Sequence, residues 1–522
     1  MTTLHLLHEV VDQSAERYPD KAAFSYSGSS ISYRELLVRA NGLAATLVDA
    51  GIEPGDRVGL LLPKCLETPV AVFGCLKAAG VIVPLDCLSP AERLAAMIED
   101  AGIRHLIVLP EQAGLVTRLL EEHNLQPDQV IGLDPKDEPR INCKAWDAIS
   151  TLESPPAVVL LESDPAYLLY TSGSTGKPKG ILHSHASGLA YAKLSADLYE
   201  VSPEDRLGNF APLHFDQSTF DFYTGPLCGA TTELIPPSYG FATASLANLL
   251  EEQRITIWYS VPSVLIQLVL RDALVGKDLT NLRWVLFGGE PFPPKHLNKL
   301  MSFLPNATFS NVYGPTEVNQ CTYYNFPADR DFDEPLPIGK TWANTEALIV
   351  DSDDMPVPRG ETGELLIRSP TMMVGYWRRE DLNRQAMFTR QRSNGIEDTF
   401  YRTGDLVSFL PDGNMNFLGR KDRQIKTRGY RVELDEIESV LCLNDSVLEA
   451  AAYTVEDDDL GPIVEAAVVV SNESAICEKE IGKHVAKLLP AYARPRKINL
   501  VQNFPRTRTG KIDRSALAAQ LS

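Results

Sequence analysis

Apolar positions along the chain follow two rhythms. Through the first 160 residues, stretches with apolar residues every three or four positions alternate with short, nearly continuous apolar runs, such as RVGLLLP at 57–63 and GVIVPLD at 80–86. The first pattern predicts helices with one buried face, and the second predicts strands covered on both sides. Strands alternating with helices in this way build a parallel sheet flanked by helices. The same rhythm returns at ITIWYSVPSVL (255–265) and LRWVLFGGE (282–290), so the expected fold class is α/β with helix-flanked sheets.

From 338 to 417 the texture changes to short strands broken by Gly, Pro and Asp, as in EALIVDSDDMPVPRGETGELLIRS, which predicts a β-rich subdomain. Next comes GRKDRQIKTRGYRVELDEIESVL, a strand-like piece, a Gly turn and a helix, followed by strand candidates at 448–453 and 463–470. These divide the chain into a large N-terminal core, 1–418, and a small α/β domain, 419–522. The acidic run from Glu456 to Asp459 reads as a solvated turn.

Composition adds exclusions. The formal net charge of −20 disfavours non-specific attraction to nucleic acid or an anionic membrane. Glu9, Asp12 and Glu16 interrupt the apolar residues of the N-terminal segment, which reads as an amphipathic helix and not a secretory signal. No apolar run approaches the roughly 18 residues of a membrane span. Eight cysteines without a C-x-x-C pair fit neither a disulfide framework nor a zinc cage; reduced, buried thiols in a cytoplasmic protein are expected.

The densest chemistry lies in YTSGSTGKPKG, 170–180, which holds four Ser/Thr hydroxyls, three glycines and two lysines. A P-loop needs G-x-x-x-x-G-K-[ST]; here Pro178 follows Lys177, and Thr171 stands five before Gly176, so that reading fails twice. Strand-like AYLLYTS (166–172) and GILHSH (180–185) flank the loop, which therefore reads as a flap between strands whose N–H groups and hydroxyls can fold over phosphates.

This loop resembles the signature of the adenylate-forming superfamily, which comprises acyl-CoA synthetases, adenylation domains of nonribosomal peptide synthetases, and luciferases. The rest of the chain carries motifs similar to that family's in the same order. They are ISYREL at Ile31, LKAAGVIVPLD at Leu76, FDQS at Phe215, FGGEP at Phe287, NVYGPTE at Asn311, GELLIRSPTMMVGYW at Gly363, YRTGDL at Tyr401, GRKDRQIKTRGYRVELDEIE at Gly419 and PRTRTGKID at Pro505.

The resemblance implies attack of a carboxylate on the α-phosphorus of ATP, and then transfer of the acyl group to a thiol. An anion attacking a polyanion requires concentrated positive charge and donors. By resemblance, Thr171, Ser172, Gly173, Ser174, Thr175, Gly176 and Lys177 hold the departing phosphates. Thr316 meets the α-phosphate, and Glu317 ligates Mg2+. Gly289, Glu290, Pro291 and Tyr313 line the adenine slot, Asp405 receives the ribose hydroxyls, and Arg420 adds charge. Lys511 is the catalytic lysine of a mobile domain, Asp422 its hinge, and rotation would bring the Gly429 region to the thiol channel.

Asp216 of FDQS stands where amino-acid-activating members place the partner of the substrate ammonium, a charge that needs pairing once desolvated. Gln217, Phe220, Tyr259, Leu286, Gly288, Val312, Gln320 and Cys321 complete the implied pocket. Tyr259, Leu286 and Cys321 resemble proline-activating enzymes, whereas Gln217, Phe220, Gly288 and Gln320 depart from them. Proline is the first expectation, with a β-amino acid or a small apolar residue next. The implied partner is a separate carrier protein with a phosphopantetheine arm, because no G-G-x-S site follows. A CoA ligase and a non-catalytic nucleotide-binding regulator stay open. His183, His185 and His214 are expected to be structural.

Overall fold

The computed structural model describes residues 3–173, 178–240, 242–457, 461–471, 476–506 and 512–521, apart from the side chain of Ser515. Two helix-flanked sheets form the large unit. In the nine-stranded sheet, Trp284–Gly288 lies between Ile257–Ser260 and Thr308–Tyr313, all parallel, while Thr322–Pro327 and Lys340–Thr341 run antiparallel at one edge. In the eight-stranded sheet, Arg57–Leu61 and Val81–Pro84 are parallel neighbours, as their continuous apolar runs predict.

The run at 255–265 divides between two elements. Ile257–Ser260 is a strand, and Pro262 opens the helix Pro262–Leu270 at a position where its missing N–H costs nothing. That helix buries Leu265, Ile266, Leu268 and Val269 in a cluster with Trp258 and Phe287. Each such side chain contributes about 1.5–3 kcal/mol on burial, and Phe287→Ala would cost roughly 3–5 kcal/mol.

The β-rich region is a five-stranded antiparallel sheet built on Glu397–Phe409. One boundary moves. The strand Met415–Arg420 pairs with Glu397–Phe409 through Leu406↔Gly419 and Asp405↔Arg420, so the break expected at 418/419 falls inside an element of the large unit. The chain leaves that sheet only after Arg420.

Beyond it, Gln424–Thr427 and Tyr430–Glu433 form a hairpin leading into the helix Leu434–Cys442. The two residues of its tip, Arg428 and Gly429, both have positive φ, +52° and +79°. This is the signature of a two-residue turn whose twist matches its strands. Val447–Asp457, Gly461–Val470 and Ile498–Leu500 form the small unit's sheet. Glu456 and Asp457 therefore end a strand instead of making a free turn, and Asp458 and Asp459 lie outside the described residues.

The N-terminal helix is Glu9–Arg17, and Glu9 accepts hydrogen bonds from the backbone of His5 and Leu6. Among the described residues no helix is long and apolar enough to cross a membrane. All eight cysteines are free. Cys65, Cys75, Cys143 and Cys321 are buried, but Cys442 and Cys477 are exposed, so the expectation of uniformly buried thiols is corrected.

Candidate active site

The cleft opens at the carboxyl ends of the parallel strands, where side chains from several loops converge. Strand Pro165–Thr171 pairs antiparallel with Lys179–Ser184, so the 170–180 loop is a flap between two strands. Its tip, Ser174, Thr175, Gly176 and Lys177, lies outside the described residues, as does Lys511. Thr171 and Ser172 line the cleft, and Gly173 is buried beside them.

Gly289, Thr316, Asp405 and Arg420 line the same cleft. Asp405 is held from both sides. Tyr313 donates its hydroxyl to Oδ2, and Arg420 Nη1 reaches Oδ1 at 2.5 Å. Arg420 also forks onto Asp422 at 2.7 Å, so two carboxylates offset its charge, while Asp422 Oδ1 accepts from Gln424 N–H. Tyr313 is thus a support for Asp405 and does not line the cleft. Pro291 is exposed, and Glu290 accepts from Ser263 N–H and from Gly429 N–H.

On the acid side, Asp216, Gln217, Tyr259, Gly288, Val312 and Gln320 line the cleft. Phe220, Leu286 and Cys321 do not; they sit behind it as fully buried core. Asp216 Oδ1 accepts from Gln217 N–H at 2.8 Å. Burial raises its carboxyl, which the Thr316 hydroxyl and Lys426 oppose only in part. No cation among the described residues lies within ion-pair distance of it.

Glu317 is completely buried. Burial alone would raise its carboxyl, yet Arg431, Lys179 and the Tyr376 hydroxyl outweigh that and hold it well below the usual carboxylate range. Arg431 Nη1 lies 3.0 Å from both oxygens, Tyr376 donates to Oε1 at 2.7 Å, and Lys179 Nζ stands at 3.6 Å. Burial, with Arg431 alongside, brings Lys179 down to about 8. A magnesium ion at Glu317 does not fit this arrangement. Two cations and a hydroxyl already occupy the carboxylate, and no group of three ligating side chains surrounds it among the described residues.

The 424–433 hairpin brings residues that motif reading did not assign. Lys426, Tyr430 and Arg431 line the cleft beside Gly429. The hairpin is seated by three polar contacts: Ser172 Oγ donates to Arg431 C=O at 3.0 Å, Gly429 N–H to Glu290 at 3.2 Å, and Arg431 pairs with Glu317. A side chain at Gly429 would place its Cβ 2.5 Å from Val261 Cγ1. Tyr430 packs edge-on against Phe215 and stacks on Tyr492. Farther out, Arg93 of the large unit pairs with Glu436 at 2.8 Å, both nearly buried.

The histidines divide. His185 is core and accepts from Leu7 N–H. His183 stacks on Tyr167, with Nε2 2.9 Å from the Thr316 carbonyl, so it positions a cleft residue. His214 lines the cleft itself.

Two sheets meeting in a cleft, a flap between strands and a small domain that enters the cleft define an adenylate-forming enzyme. The chain belongs to the AMP-binding enzymes: that family's model matches residues 11–377, and the AMP-binding enzyme C-terminal domain matches 436–511. It is 34% identical over 520 residues to an L-proline–[L-prolyl-carrier protein] ligase of Pseudomonas fluorescens, covering 99% of this chain and all of that one. It is 35% identical over 518 residues to tyrocidine synthase 3 of Brevibacillus parabrevis, of which it spans 8%. Among solved structures, an amide bond synthetase from Marinactinospora thermotolerans matches with a TM-score of 0.86 and 25% identity over 99% of both chains.

Proposed function

We propose that the protein uses ATP to activate an amino acid as its aminoacyl adenylate, releasing pyrophosphate, and then loads the phosphopantetheine thiol of a separate carrier protein. The observation that carries this is Asp216, a desolvated carboxylate in the cleft with no cation within ion-pair distance among the described residues. A substrate ammonium supplies the missing charge, whereas a fatty or aryl acid would leave it unpaired. The full-length similarity to a proline-carrier ligase supports both the amino acid and the carrier.

In this reading Asp216 orients the substrate, Asp405 takes the ribose hydroxyls, and Thr316 meets the α-phosphate. Thr171 and Ser172 begin the grip on the leaving pyrophosphate that Ser174, Thr175 and Lys177 complete. Lys511 attends the adenylation step from the small domain, with Asp422 as the hinge. The seated hairpin, with Gly429 in the cleft, is the arrangement suited to the second step.

The test is ATP–pyrophosphate exchange across a panel of amino and non-amino carboxylic acids, followed by thioester formation with a carrier protein and with free CoA. Exchange driven only by non-amino acids would refute the reading of Asp216. A thioester with CoA but not with any carrier would reassign the acceptor.

A further inference from the structure

The substrate side chain has to meet the inner end of the acid pocket, and that end is polar. Gln320, 4% exposed, donates its amide N–H to the Tyr259 hydroxyl, closing the pocket floor in front of the buried Phe220 and Leu286. Its carbonyl Oε1 is buried and has no partner among the described residues. Rotating the amide only exchanges the orphan, since the carbonyl would then accept from Tyr259 and leave the NH2 unmatched. Gln217 lines the same cleft, and its side-chain NH2 is also buried without a partner among the described residues.

Buried amide atoms are normally paired, so two unpaired ones on residues that line the same cleft call for an occupant that supplies hydrogen bonds. The wall is also closed at Gly288. At Gly288 a Cβ would lie 2.1 Å from the Val312 carbonyl and 3.6 Å from the Tyr259 hydroxyl, so strand, valine and tyrosine close the wall.

Resting on the amino acid reading above, we propose that the activated amino acid carries a short, neutral side chain ending in a hydroxyl or carboxamide. That group donates to Gln320 Oε1 and accepts from the Gln217 NH2. Proline and small aliphatic residues offer neither bond and leave both amides stranded.

Exchange kinetics with near-isosteric pairs test this: serine against alanine, threonine against valine, asparagine against leucine, with proline alongside. The polar member of at least one pair should lead in kcat/KM by about 10⁴–10⁵, because a site built to hydrogen-bond rejects the analogue that cannot. Gln320→Leu and Gln217→Leu should lower that lead at least tenfold and raise kcat/KM for the apolar partner, a gain that a misfolded variant cannot show. Proline or an aliphatic residue leading in the wild type would overturn the inference while leaving amino acid activation standing. Exchange driven by no amino acid would overturn the functional reading, and this inference with it.

Discussion

Replacing Arg431 with Met isolates the contact that holds the hairpin in the cleft. The guanidinium lies 3.0 Å from each oxygen of a carboxylate with no solvent exposure. Removing one partner of such a pair costs about 3–5 kcal/mol when the other stays buried and charged. Lys179 at 3.6 Å and the Tyr376 hydroxyl at 2.7 Å still support Glu317, so the lower figure applies. With the small unit mobile, as proposed, the cost falls on the seated population and not on global unfolding. About 3 kcal/mol is roughly a hundredfold. Single-turnover transfer from preformed aminoacyl adenylate to carrier should therefore slow about 10²-fold in Arg431→Met, with Arg431→Lys intermediate, while ATP–pyrophosphate exchange falls far less. Lys511→Ala should show the opposite split, losing about 10²–10³ in exchange and sparing transfer. Equal losses in both half reactions for Arg431→Met, or an unchanged transfer rate, would refute the reasoning.

Three further outcomes follow from the same geometry. Gly429→Ala puts a Cβ 2.5 Å from Val261 and forces an L residue to φ near +79°, a strain of about 1–2 kcal/mol, so stopped-flow transfer should slow about tenfold or more. Arg93→Met strands the buried Glu436 and should slow carrier loading by at least tenfold, whereas adding Glu436→Met should recover most of the loss; an additive double variant would show that the pair does not couple the two units. Because burial raises the Asp216 carboxyl, it takes up a proton at a higher pH than an ordinary aspartate. KM for the amino acid in exchange should then climb as pH falls through that raised pKa, while the substrate ammonium stays charged; a KM that is flat down to the ordinary aspartate range would contradict this.

How far the sequence could be read depended on whether a residue's role is local. The flap at 170–180 and the strands at 57–61 and 81–84 were legible because periodicity and spacing are properties of one segment, whereas Asp216 was placed by the resemblance of FDQS to the family motif. Phe220, Leu286 and Cys321 were harder, since whether an apolar side chain lines a cleft or backs it depends on which neighbour stands in front; here Tyr259 and Gln320 do. Arg431 was out of reach for a different reason. Its partner Glu317 is 114 residues away, and their meeting depends on how the small unit seats. A motif alignment assigns each residue one job, yet Glu317, Glu290 and Ser172, all implied nucleotide contacts, are the groups that receive the hairpin. In the proposed reaction the flap residue Ser172 is the one implied phosphate contact among them, and its hydroxyl is taken by the Arg431 carbonyl when the hairpin is seated.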